Sequence, residues 1–90
     1  MEEKKRVVII DDHSLMSGGV KAIIEREPGF AVVGEAQTAQ EGLELTAETQ
    51  PDIAIVDLSL PDRSGIDLTR EILAKSPKTK ILIVTMHCTR

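Results

Sequence analysis

Aromatic residues are almost absent from this chain of 90 residues: Phe30 stands alone, with no tryptophan and no tyrosine. Its core must therefore be aliphatic. A single cysteine, Cys88, excludes an internal disulfide and fits a reducing compartment. No segment approaches the roughly 18 apolar residues of a membrane span, and no signal-peptide pattern opens the chain, so a cytoplasmic protein without a membrane partner is expected. Basic residues do not dominate either. Eleven Lys and Arg against 15 Asp and Glu give a formal charge of −4, which leaves no electrostatic footprint for nucleic acid beyond the short Lys4-Lys5-Arg6 run. That run is read as a solubilising amino end. The hydrophobic share of 41% and the charged share of 29% are those of one small soluble domain, with a thin stability margin at this length.

What is present alternates regularly. The runs Arg6 to Ile10, Ala31 to Glu35, Ile53 to Asp57 and Lys80 to Thr85 are short, rich in Val and Ile, and bounded by Gly, Pro or Asp, as strands are. Between the first two, Leu15, Met16, Val20, Ile23 and Ile24 recur at helical spacing up to Pro28-Gly29, despite the cost of Gly18 and Gly19 inside a helix. Thr38-Ala39-Gln40-Glu41 has the form of a capping box, and Pro51 ends the helix that it opens. A third helix starts at Ser64-Gly65, is expected to carry Ile66, Leu68, Ile72 and Leu73 on its inner side, and stops before Ser76-Pro77. The order β-α-β-α-β-α-β, with strands that are near-continuous apolar runs, predicts an α/β fold with a doubly wound parallel sheet covered on both faces.

Three acids stand at the carboxyl ends of two of these strands. Asp11 and Asp12 close the run Val7-Val8-Ile9-Ile10, and Asp57 closes Ile53-Ala54-Ile55-Val56. In such a sheet the strand carboxyl ends share one edge, where ligands bind. If the two strands are neighbours, the acids converge. Each carboxylate pair then repels by about 4 kcal/mol at 4 Å for an effective dielectric of 20, so the cluster is expected to bind a cation or hold a proton. Taken one by one the residues are ordinary: aspartates favour helix starts, and Pro61 and Gly65 suit any turn. Neither His13 nor His87 has a partner at ligand spacing, and neither is assigned to a metal.

The set Asp11-Asp12 after the first strand, Asp57-x-x-x-Pro61 with Gly65 after the third, and Thr85 ending the fourth resembles the receiver domain of two-component response regulators, over essentially the whole chain. The run Asp11-Asp12-His13 with Gly34-Glu35-Ala36 is similar to the NarL/LuxR-type subfamily, whose receivers usually precede a helix-turn-helix DNA-binding domain. The resemblance implies a flavodoxin-like, CheY-like fold. It implies further that Asp57 is the phosphoacceptor, taking a phosphoryl group from a sensor histidine kinase or a small phosphodonor. Mg²⁺ would be held by Asp12, Asp57 and the backbone carbonyl of Ser59, with Asp11 acting directly or through water. Thr85 would sense the phosphate with its hydroxyl.

Receivers normally continue past the fourth strand through a helix, a fifth strand with a phosphate-binding lysine and a switching aromatic, and a last helix. This chain stops at His87-Cys88-Thr89-Arg90, so residues 1–90 are expected to be the amino-terminal part of a receiver, truncated after the fourth strand, and no lysine is assigned to the site. An uncovered edge on that strand would favour a homo-oligomer. Any DNA contact would belong to an output domain absent here. Two other functions compete with a phosphorylated switch that is not a turnover enzyme. One is a degenerate receiver serving as a binding scaffold. The other is an aspartyl-nucleophile phosphatase of the haloacid-dehalogenase type, against which stands Ser59, where such enzymes place a second aspartate.

Overall fold

A computed structural model describes residues 4–12, 14–58 and 60–84, with residues 14–17 as backbone. Strands and helices alternate as β1 (Lys5–Ile10), α1 (Ser14–Glu25), β2 (Phe30–Ala36), α2 (Ala39–Thr49), β3 (Ile53–Asp57), α3 (Gly65–Lys75) and β4 (Lys80–Val84). All four strands are parallel in the order β2-β1-β3-β4. From β1 the chain first moves outward to β2, then crosses back over β1 to β3. The winding direction reverses between β1 and β3, and that reversal opens a crevice at their carboxyl ends.

Both faces of β1 are buried: Val7, Val8, Ile9 and Ile10 are all at or below 1% exposed, which explains a run with no polar alternation. Val8 and Ile10, with Ala54 and Val56 of β3, face α2 and α3 and pack into one cluster with Leu43, Leu68 and Ile72. Val7 and Ile55 face the other way, toward Ile24 of α1. There Phe30, Ile53 and Leu82 complete an apolar groove of about 240 Å³. Val33 is an extra residue of β2 opposite the Val7–Val8 step, a bulge on an edge strand.

Two helices bury less than their apolar pattern predicts. In α3 the stripe against the sheet is Gly65, Leu68 and Ile72, whereas Ile66 (52% exposed) and Leu73 stand outside it. Each follows a buried position by one residue, about 100° around the helix, so the two form a second stripe that points past the sheet. In α1, Ile23 is 64% exposed while its neighbour Ile24 lines the groove.

The capping box of α2 forms with a shift. Thr38 Oγ1 accepts the Glu41 N–H at 3.1 Å, but the Glu41 carboxylate accepts from the N–H of Gln37 at 3.2 Å, one residue before the cap. At the other end Gln50 takes a left-handed conformation (φ 47°), and its side-chain amide donates to the carbonyls of Ala47 and Lys75. Arg6 is more than a solubilising charge. Its guanidinium donates to the carbonyl of Thr49 at 2.6 Å, tying β1 to the end of α2. No helix among the described residues is long and apolar enough to cross a membrane.

Candidate functional site

Asp11 follows Ile10 directly, and Ile10 is paired with Val56, so Asp11 and Asp57 leave adjacent strands at the same level. The Asp11 N–H donates to the Ala36 carbonyl at 2.9 Å, which carries the parallel ladder one residue past β1. Asp57, the last residue of β3, is 1% exposed, Asp11 is 4% exposed, and Asp12 is open to solvent. One carboxylate oxygen from each of the three can be chosen so that all lie within 4.8 Å of one another. The convergence expected for neighbouring strands is thus present: two acids buried at the crevice floor and one at its rim.

Among the described residues the cluster's candidate ligands are three carboxylates, and these define its chemistry. Its donors are hard oxygens, which suit Mg²⁺, Ca²⁺ or Mn²⁺ and not the softer ions that thiolate and imidazole attract. A divalent ion bound there would also offset repulsion between ionised carboxylates at this spacing. Ser59 and Thr85 lie outside the described residues. Thr85 follows Val84, which pairs with Asp57.

The chain leaves Asp57 through a turn that only glycine can close. Gly65 donates its N–H to the Leu58 carbonyl at 2.9 Å, and a Cβ there would stand 2.7 Å from the Asp57 carbonyl oxygen and 2.9 Å from the Leu58 Cα. Its requirement is therefore close approach to the backbone of the site. Ser64 precedes it as the N-cap of α3, accepting the Asp67 N–H at 3.1 Å.

Two residues of this turn have a role that sequence reasoning missed. Asp62 accepts the N–H of Ala39 at 2.7 Å through Oδ1 and that of Gln40 at 3.0 Å through Oδ2, so it caps α2 from across the molecule. Those bonds, the Ala39 one foremost, hold the Asp62 carboxyl below the usual carboxylate range, with the positive charge of Arg63 adding to them. Arg63 donates to the Gln40 side chain at 2.8 Å and pairs with Glu71 of α3. Nothing local in the sequence signals these bonds. An N-cap is normally sought just before its helix, where Thr38 already sits.

The family model described as "Response regulator receiver domain" matches residues 7–90. The chain belongs to this family. Among its relatives, the transcriptional regulatory protein DegU of Brevibacillus brevis is 36% identical over 86 residues, covering 96% of the chain and 36% of DegU. A protein-glutamate methylesterase/protein-glutamine glutaminase of Geobacter metallireducens is 32% identical over 87 residues, which is 97% of the chain and 24% of that enzyme. A crystal structure of a LuxR-family two-component response regulator from Aurantimonas sp. SI85-9A1 superposes with a TM-score of 0.88 at 44% identity, over 96% of this chain and 61% of that one. This receiver therefore spans about a third of the curated regulator and a quarter of the curated methylesterase. Its parallel sheet and helices are those of the CheY-like, flavodoxin-like receiver fold, and its relatives include response regulators of the NarL/DegU/LuxR type beside the methylesterases.

Proposed function

We propose that this receiver is the phosphoacceptor module of a two-component phosphorelay and that Asp57 carries the phosphoryl group. The observation that carries this reading is the burial of Asp57 at the end of β3, at the reversal between β1 and β3, with Asp11 and Asp12 converging on it. An Asp57 carboxylate oxygen attacks the phosphorus of a phosphohistidine in a sensor histidine kinase. The new P–O bond forms as the P–N bond breaks, and the electron pair of that bond returns to the imidazole. With a small donor such as acetyl phosphate, the bond that breaks is P–O and acetate leaves.

Mg²⁺ fits the oxygen donors present, and when bound it would neutralise charge on the transferring group. Asp12, Asp57 and the Ser59 carbonyl are its proposed ligands, with Asp11 direct or through water. Asp57 thus serves as both nucleophile and ligand, Asp12 offers its carboxylate from the solvent rim, and Asp11 is buried beside Asp57. Thr85 is proposed as the hydroxyl that meets the phosphate and passes the change in charge to the output. The protein acts as a switch in the cytoplasm, with transcription regulation through a DNA-binding domain as the proposed output.

Intact mass after incubation with acetyl phosphate and Mg²⁺ tests this directly. One added phosphoryl group on the parent and none on Asp57→Asn is the expected result, and an unmodified parent sinks the phosphoacceptor reading for this chain. A second reading, self-association along β4, is favoured by the exposure of Leu82 (54%) and Ile83 on an edge strand of the described sheet. Light scattering across a concentration series tests it, and a monomer at every concentration excludes it.

A further inference from the structure

We infer that Asp62 is a positioning residue for the acid site, because its carboxylate clasps the loop after Asp57 to the amino end of α2 and so fixes that loop relative to Asp11 and Asp12. The inference rests on the proposed reading of the site as a cation-assisted phosphoacceptor centre. Two separate contacts of α2 support it. Through Gly42 the helix lies directly on Ile10, the residue before Asp11, so close that a Cβ there would stand 2.7 Å from the Ile10 side chain. Through the N–H groups of Ala39 and Gln40 it holds Asp62, five residues after Asp57. One rigid helix thus spans from the first strand end to the loop of the second.

Arg63 strengthens the same joint by reaching Gln40 of α2 and Glu71 of α3, and Gly65 closes the loop onto Leu58. Asp57, a proposed ligand, heads this loop and keeps its orientation only while the loop keeps its place, and outer-sphere hydrogen bonds that orient ligands are worth about tenfold or more in metal affinity. An ordinary cap would need no such reach. Thr38 already serves this helix end, holding the N–H of Glu41, while Asp62 brings a second acceptor from 23 residues away in sequence.

Thr38 also provides the control. Thr38→Ala weakens the same helix end and leaves the Asp62 clasp in place, whereas Asp62→Ala removes the clasp and leaves the loop held by Arg63 and Gly65. Two readouts on the full chain separate them: the Mg²⁺ dissociation constant by calorimetric titration, and hydrogen exchange at the Gly65 amide by NMR. Asp62→Ala is expected to raise the Mg²⁺ Kd about tenfold and to speed Gly65 exchange, and Thr38→Ala to lower the melting temperature with Kd and Gly65 exchange unchanged. Equal Kd values in the parent and Asp62→Ala, or equal shifts in the two variants, overturn the inference. Should Asp62→Ala not fold, Asp62→Asn, which retains one acceptor oxygen, is expected to shift Kd less in the same direction, and an unchanged Kd again overturns it. A parent that binds no Mg²⁺ removes the cation reading, and Gly65 exchange then judges the clasp alone: faster exchange in the Asp62 variant than in Thr38→Ala upholds it, and equal exchange ends it.

Discussion

Among the described residues the two faces of the sheet, both buried at β1, differ in how far they are closed around it. On the α2–α3 face, alternate residues of β1 and β3 meet helix side chains that are themselves buried, and Val8, Ile10, Ala54, Val56, Leu68 and Ile72 are all fully enclosed. On the α1 face, Val7 and Ile55 look into an apolar groove, and Leu82 and Ile23 are largely exposed. The acid site is braced from the closed face: α2 presses on Ile10 and holds Asp62, and α3 starts at Gly65 against the Asp57 backbone. The close packing of that face thus bears directly on the geometry of the acid site.

Truncation of side chains on the two faces should break this comparison most sharply. Ile72→Ala, at a fully enclosed position, is expected to lower stability by about 2–5 kcal/mol in urea unfolding. Gly65→Ala drives a methyl into the Asp57 carbonyl, and a cost of about 1–3 kcal/mol is expected, with slower phosphorylation by acetyl phosphate as its particular mark. Thr38→Ala should cost about 1 kcal/mol through the lost cap. Ile23→Ser, on the open side, should stay within about 0.5 kcal/mol of the parent. A large loss at Ile23 would mean that the α1 face is closed in solution.

The remaining prediction concerns pH. The folded Asp62 carboxyl titrates below its unfolded value because the ionised form accepts two backbone N–H groups. Its contribution is therefore complete above the unfolded value of about 4 and disappears as pH falls through the lower folded value. The stability gap between the parent and Asp62→Asn should be constant near neutral pH and narrow below about pH 4, as read from thermal midpoints. A gap that stays constant into that acid range would show that the carboxylate charge adds nothing to the clasp.

Much of this was legible in the chain itself, because it depends on neighbours in sequence. The four strands, three helices, the Thr38 cap and the acids at the strand ends follow from periodicity, capping and breaker residues acting over a few positions. Strand ends shifted by at most a residue where both ends are described. The inner faces of α1 and α3 were less legible. Ile23, Ile66 and Leu73 have the apolarity of core residues, and only the angle at which each helix meets the sheet decides which stripe is covered.

The sequence by itself determined the alternation of elements, the aliphatic core, and the placing of three carboxylates where strands end. Tertiary structure decided that β1 and β3 are neighbours, and hence that Asp11, Asp12 and Asp57 meet. It also decided that Asp62 closes a helix 23 residues before it and that Gly65 must lack a side chain to let α3 start against the site. The division has a physical cause. Local patterns record what a residue does to its own backbone, whereas a cluster of charges or a cap borrowed from another loop exists only once burial has brought distant segments into contact.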